Sequence, residues 1–285
     1  MNTAEHSAQG CLRPTRLRLK LVSSKPNHPS HLVERILMGP IILATLAFAF
    51  YPQVEATEKA NCVWAETAPT IDGKLDDACW QSAPKIDKFP TFWKQVKSGE
   101  GTVAKLVWDN EAIYFSSEMT DTELRSFGTK RNDLLWNGDV FELFFKPDLD
   151  KPAYYELQVN PLSVILELPF PERGYSFEKL SAKPPLGMTA VARCIGTLDT
   201  PGDTDERWLV EGKIPWTAFA STGGKPKVGD VWGFALCRYD YGKDGTAPIL
   251  TSSAPLTKPS FHHFEDYGQL TFVGPEPSKG SPQRP

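Results

Sequence analysis

The polar side chains best placed to meet a ligand lie in two short stretches. The first is Trp136-Asn137-Gly138-Asp139-Val140-Phe141-Glu142-Leu143-Phe144-Phe145, and its echo is Tyr155-Glu156-Leu157-Gln158-Val159-Asn160. Side chains two apart on a strand share a face. Phe141, Leu143 and Phe145 therefore form one apolar face, with Glu142 on the other. In the second stretch Tyr155, Leu157 and Val159 share a face, and Glu156, Gln158 and Asn160 take the opposite one. Trp136 stands at the mouth of the first strand, before an Asn-Gly turn signal. Carboxylates and amides on a sheet face beside an indole ring are components of a saccharide site. The ring stacks on a sugar's C–H face and the polar groups bond its hydroxyls.

Other candidates are read against plainer roles. Glu142 is a charge amid apolar neighbours, and such groups are almost never buried unpaired. A salt bridge to Arg238 on another strand and a ligand contact are both open to it. Glu211, within Leu209-Val210-Glu211-Gly212-Lys213, reads as a strand residue with a structural partner. Asp199, Asp203, Asp205 and Glu206 offer the hard oxygens that calcium prefers, but without the fixed spacing of a calcium loop. Asp121 and Glu123 are of the same kind. The neighbours His262 and His263 point to opposite sides of an extended backbone, which disfavours a joint metal site.

The elements that must position these groups are strands. Runs rich in β-branched and aromatic residues recur at 103–108, 113–118, 139–145, 154–160, 164–168, 189–195, 207–214, 231–239 and 269–273, separated by turn-forming Pro, Gly, Asn and Asp. Asp109-Asn110-Glu111 reads as a hairpin turn, and Pro215 to Phe219 as a short helical turn. Many short strands with turn-rich spacers predict an all-β fold, an antiparallel β-sandwich or barrel.

The first 37 residues are basic and show no periodicity. They precede an apolar run from Met38 to Phe50 that ends at Val54-Glu55-Ala56. A basic region, an apolar core and an A-x-A-like site describe a secretory signal peptide over 38–56. The run is shorter than the ~20 apolar residues that span a bilayer, so no stable membrane insertion is expected after cleavage. Residues 1–56 are thus a leader, with Met38 a candidate start, 57–274 one domain and 275–285 a frayed tail. Removal of the leader takes away more basic than acidic residues, leaving a product more acidic than the formal −4 of the whole chain. That balance excludes the clustered Lys/Arg that nucleic acid requires. Cys62, Cys79, Cys194 and Cys237 remain after cleavage, allowing up to two disulfides in an exported protein, with the pairing open.

Eight motifs then fall in a telling order. They are Ile71 to Trp80, Leu106 to Phe115, the two stretches above, Gly196-Thr197-Leu198-Asp199, Trp208 to Trp216, Gly229 to Phe234, and Phe261 to Leu270. In this order the chain resembles the family 9 carbohydrate-binding modules, above all the exported family-9-like proteins without an attached catalytic domain. The resemblance spans roughly residues 60–274. It implies a jelly-roll-like β-sandwich that clasps a sugar between two aromatic rings, with structural calcium in the best-known members. By motif, Trp136 matches the first clamp ring and Glu142 a polar contact. Gln158 and Asn160 stand where the family has polar groups. Phe261 aligns with the second clamp ring, a Trp in the founding type; Phe still stacks but lacks the indole N–H. Cys237 replaces a polar contact, and its neighbour Arg238 is the candidate donor in its stead.

The expected function is non-catalytic saccharide binding outside the cytoplasm, periplasmic or extracellular, in support of polysaccharide breakdown or uptake. Two alternatives stand beside it. A glycoside hydrolase would need a carboxylate pair from Glu142, Glu156 and Glu211, set ~5–5.5 Å apart for retention or ~6.5–9.5 Å for inversion. A b-type haem electron-transfer domain would have to draw its Met and His axial ligands from Met119, Met188 and one of His262 or His263.

Overall fold

A computed structural model describes residues 56–92, 101–200, 202–242, 245 and 247–275. The leader expected at 1–56 and the tail expected at 275–285 lie outside the described residues, save Ala56 and Pro275. Among the described residues no helix is long and apolar enough to cross a membrane.

The described chain is all-β. Its strands are β1 (Lys59–Trp64), β2 (Thr102–Trp108), β3 (Ala112–Thr120), β4 (Val140–Lys146), β5 (Tyr154–Val159), β6 (Ile165–Phe170), β7 (Thr189–Ile195), β8 (Arg207–Pro215), β9 (Val231–Asp240), β10 (Ile249–Ser252) and β11 (Gly268–Val273). Two five-residue helices accompany them, α1 (Ala78–Ser82) and α2 (Phe177–Ser181). The nine strands predicted from periodicity are all present. The helical turn expected after Pro215 forms as a 3-10 turn, Trp216–Thr222. The Asp109 hairpin also forms, because Asp109 Oδ1 accepts the backbone N–H of Glu111 and Ala112 at 2.7 and 3.0 Å.

The strands join in one sheet, ordered β6-β5-β4-β9-β11-β1-β2-β3-β8-β7, with β10 on the flank of β9. Most pairs are antiparallel, as expected, but β1 runs parallel to both β11 and β2. The connection from β1 to β2 is long and carries α1, which is what a parallel pair requires. Pro169 is tolerated in β6 because β6 ends the path, where a missing backbone N–H breaks no second ladder.

Phe115 of β3 and Phe141 of β4 are five places apart in the sheet order, yet their rings stack with centroids 6.4 Å apart. The two halves of the sheet therefore face each other across a core. Trp108, Trp208, Trp216 and Trp232 sit in that core with Leu143, Phe145, Leu157 and Val159. Each such side chain contributes about 1.5–3 kcal/mol by leaving water. The far side of β4, β5 and β9 is covered as well, by Val140, Phe144, Tyr154 and Ala235 packed under Leu256 and Phe261. Glu142, Glu156 and Gln158 are consequently enclosed on the face where the sequence alternation placed them.

The disulfides allowed by the sequence do not form: Cys62, Cys79, Cys194 and Cys237 are free thiols. Cys62 is in the inner core, and Cys237 lies on the opposite side of the sheet against Ser252. Cys194 stands across from Trp208, and Cys79 lies in α1, so no two share a register position.

Candidate functional site

Strand register builds the floor of the site. Glu142 on β4 stands opposite Gln158 on β5 and Cys237 on β9, and Glu156 is two residues before Gln158 on the same face. The Gln158 amide sits between the two acids: its Nε2 donates at 2.6 Å to Glu142 Oε1 and at 2.6 Å to Glu156 Oε1. Glu142, Glu156 and Gln158 are 2, 5 and 0% exposed. Burial pushes the Glu142 carboxyl well above its usual range, and the neighbouring Glu156 pushes it the same way. Burial also raises Glu156, to about 7, against the hydrogen bond from Gln158. Gln158 Oε1 is buried and has no hydrogen-bond partner among the described residues.

Above this row opens a cavity of about 550 Å³. Its walls are aromatic. Trp136, half-buried on the 3-10 turn Leu135–Asn137, meets Phe177 of α2 edge-on at 5.5 Å. Phe261 is packed edge-on by Phe92 at 5.2 Å and by Tyr239 at 5.7 Å. A further wall is Tyr154, whose hydroxyl bonds His262 Nδ1 at 2.8 Å, while His262 Nε2 lies 3.8 Å from Glu156 Oε2. Arg173 also lines the cavity, donating from Nε to the His262 carbonyl and from its guanidinium to Glu265. The Trp136 turn is fixed from below: Tyr241 donates its hydroxyl to the Trp136 carbonyl at 2.9 Å. Gly138 is required there because a Cβ would fall 2.5 Å from the backbone nitrogen of Phe127.

Of the residues expected from sequence, Trp136, Glu142, Gln158 and Phe261 thus line one cavity, and Asn160 and Arg238 do not. Asn160 lies one residue past β5, where the chain turns. Its Nδ2 donates to the Phe127 and Gly128 carbonyls at 2.9 and 3.1 Å, and its Oδ1 accepts the N–H of Leu162 and Val164. It ties that turn to a neighbouring loop. Arg238 pairs in register with Phe141, so period two turns it away from Glu142. Its guanidinium bonds Asp121 at 2.9 Å and Asp240 at 3.3 Å, not the Glu142 carboxylate suggested by sequence.

The metal candidates divide in the same way. Asp205 accepts the N–H of Leu124 and Thr197 at 2.7 and 2.6 Å, and Asp199 accepts Ser126 N–H at 2.9 Å; both hold loops. Among the described residues neither they nor Asp203 belong to a cluster that could hold an ion; the cluster found there is Asp121, Asp139 and Asp240, whose carboxylate oxygens lie within 4.8 Å of one another. Burial raises all three, Asp121 to about 6 and Asp139 to about 8. These are hard-oxygen donors, but Arg238 already pairs with two of them, Asp121 and Asp240. Both Asp139 oxygens also accept backbone N–H, from Tyr241 and Arg125. The set does not fit a resident calcium ion while Arg238 holds that place.

The haem candidates are kept apart. Met119 and Met188 lie in the inner core, whereas His262 lies on the other side of the sheet against Phe144 and Tyr154. His263 is engaged with Glu265 at 2.8 Å. Glu211 has the structural partner expected of it, in Trp80 and the backbone of Asp72 and Gly73. Sequence reading left Phe92, Phe177 and Tyr239 out of the site. Tyr239 was within reach, since it shares the face of Cys237 two residues away. Phe92 and Phe177 lie in a loop and a one-turn helix with no periodicity to mark them.

A family model described as "Carbohydrate family 9 binding domain-like" matches residues 71–275. The chain is 24% identical over 207 residues to the exoglucanase XynX of Acetivibrio thermocellus, and 23% over 206 residues to endo-1,4-beta-xylanase A of Thermoanaerobacterium saccharolyticum. Each match takes in 72% of this chain but only 16% and 15% of those enzymes, so the chain spans about a sixth of their length. A family 9 carbohydrate-binding module from Caldicellulosiruptor kristjanssonii, in complex with cellotriose, superposes with a TM-score of 0.53 at 16% identity, over 80% of this chain and 100% of that one. The same module with glucose gives 0.53, at 16% identity over 79% and 99%. A putative carbohydrate-binding protein from Bacteroides uniformis gives 0.57 at 15% identity, over 76% and 100%. At such identities the structural likeness is one of fold.

Proposed function

We propose, because this chain belongs to the carbohydrate family 9 binding domain-like family, that it binds a saccharide without cleaving it, in the cavity above Glu142, Gln158 and Glu156. The single observation that carries this is the pairing of aromatic walls with a buried polar floor in one opening of about 550 Å³. Trp136 and Phe261 stack on the C–H faces of the sugar while the floor groups bond its hydroxyls. The sheet whose halves face each other acts as a jelly-roll-like β-sandwich scaffold for this site. The related module from C. kristjanssonii holds cellotriose and glucose, which supports the ligand class. Export is part of the proposal: the basic stretch and apolar run up to Ala56 read as a signal peptide, and the work is polysaccharide breakdown or uptake outside the cytoplasm.

Calorimetric titration of the protein with glucose, xylose and their β-1,4-linked oligomers tests the reading, alongside a Trp136→Ala variant and an assay for released reducing sugar. Saturable binding that the variant loses, with no sugar released, is the expected result. A folded protein that binds nothing on the panel, or a variant that binds as well as wild type, removes the proposal. Released reducing sugar that disappears in Glu142→Gln would instead select the hydrolase reading.

A further inference from the structure

We infer that the saccharide selected by this cavity carries a free amino group, so that the ligand class is an amino sugar or a β-linked oligomer of one. This rests on the saccharide reading above and adds the charge of the ligand to it.

The floor is rich in acceptors and poor in donors. Glu142 and Glu156 share one amide nitrogen, and the oxygen of that same amide, Gln158 Oε1, is buried without a partner. A buried acceptor left unmet is costly, and a ligand donor recovers that cost. Ionising either buried carboxyl demands a counter-charge; among the described residues the cations named below are engaged elsewhere, and burial raises both acids accordingly. On β4, Lys146 shares the face of Glu142 but donates to the backbone carbonyls of Asp148 and Lys151. Arg173 is committed to Glu265 and the His262 carbonyl, with its guanidinium carbon 4.3 Å from the Phe264 ring centroid. Lys179 and Lys183 stand over the Tyr175 ring at 5.9 and 5.8 Å. Burial, and after it the Arg173 charge, lowers the pKa of His262 below the usual imidazole range, which disfavours its cation. The remaining groups near the two acids are Cys237, Tyr239, Tyr154 and Tyr267, whose protons burial holds on.

An ammonium group answers each of these features. It brings three N–H donors and no acceptor, a positive charge for the acid pair, and attraction to the faces of the surrounding rings. A neutral hydroxyl at the same place satisfies Gln158 but brings no charge with which to ionise the acids. Binding of the cation then favours the ionised form of Glu156 and Glu142, so protons leave as the ligand enters.

The test compares a glucosamine trimer, its fully N-acetylated form and cellotriose, titrated into wild type at about pH 6 in two buffers of different ionisation enthalpy. The glucosamine trimer is expected to bind on the order of ten-fold or more tighter than cellotriose, equivalent to about 1.4 kcal/mol, with proton release that the two neutral trimers do not show. Glu156→Gln reduces the amino-to-neutral affinity ratio and the proton release together. Equal or weaker binding of the glucosamine trimer, while cellotriose binds, overturns the amino-sugar inference and leaves saccharide binding intact. If none of the three binds the folded protein, saccharide binding itself fails and this inference with it.

Discussion

Trp80 donates its indole N–H to Glu211 Oε2 at 3.1 Å, and the other oxygen of that carboxylate takes the backbone N–H of Asp72 and Gly73 at 2.8 and 2.7 Å. Glu211 is wholly buried, so one side chain fastens the segment before α1 onto β8. Glu211→Ala strands three donors and is expected to cost about 3–5 kcal/mol, by analogy with other broken buried charged networks. A lowered Tm in calorimetry with the saccharide affinity of the surviving folded fraction unchanged is the expected pattern. A lost affinity at unchanged Tm would contradict the structural assignment.

Trp136 should separate binding from stability. It is half-buried at the cavity wall, whereas Phe141 is wholly buried in the core. Trp136→Ala is expected to weaken saccharide binding by a factor of ten or more with a small change in Tm, and Phe141→Ala to cost about 3–5 kcal/mol of stability. Paired titration and thermal unfolding of the two variants measure this.

The buried acids set an unusual pH profile. A carboxyl whose pKa rises on folding binds more protons in the folded state than in the unfolded one, so its contribution to stability falls as pH rises through that window. With Glu156 at about 7 and Asp139 at about 8, the contribution is fully present below the ordinary carboxylate range and is lost as pH climbs through 7 to 8. Glu156→Gln removes one of these groups. Relative to wild type it should gain roughly 2–3 kcal/mol between pH 5 and pH 8, because each tenfold difference in proton affinity between the folded and unfolded chain is worth about 1.4 kcal/mol. Urea unfolding at the two pH values gives the difference directly, and a constant gap between the proteins would refute it.

Arg238 is the counter-charge of Asp121 and Asp240, beside which the Asp139 carboxylate lies. Arg238→Met leaves buried acids uncompensated and is expected to cost about 3–5 kcal/mol. The loss should be smaller at pH 5 than at pH 8, because at low pH the acids become neutral. A chelator should leave the wild-type Tm where it was; a fall in Tm would show that a metal shares this place with the guanidinium.

The period-two pattern of residues 141–145 and 155–159 was enough to assign both faces of β4 and β5, and with them Glu142 and Gln158, because one polar residue in an apolar run has only two sides to occupy. The same rule, applied to β9, would have turned Arg238 away from Glu142 and brought Tyr239 in. β1 was not legible because Lys59-Ala60-Asn61-Cys62 carries no strand-forming signature; its pairing comes from β11 and β2. β10 is four residues long and draws its register from β9. The enclosure of the polar face was hidden for a different reason, since Phe92 and Phe177 arrive from a loop and a one-turn helix that no periodicity marks, and their meeting with Phe261 is a tertiary fact.

β1 lies between the final strand and β2, with Lys59 to Val63 matched against Gln269 to Val273. The seam of the sheet therefore joins positions roughly two hundred residues apart, a loop closure that comes late and makes for folding in the millisecond-to-second range rather than faster. Until β11 emerges from the ribosome, β9 lacks one neighbour and β1 another. The nascent chain thus stays open along this seam until β11 has been made.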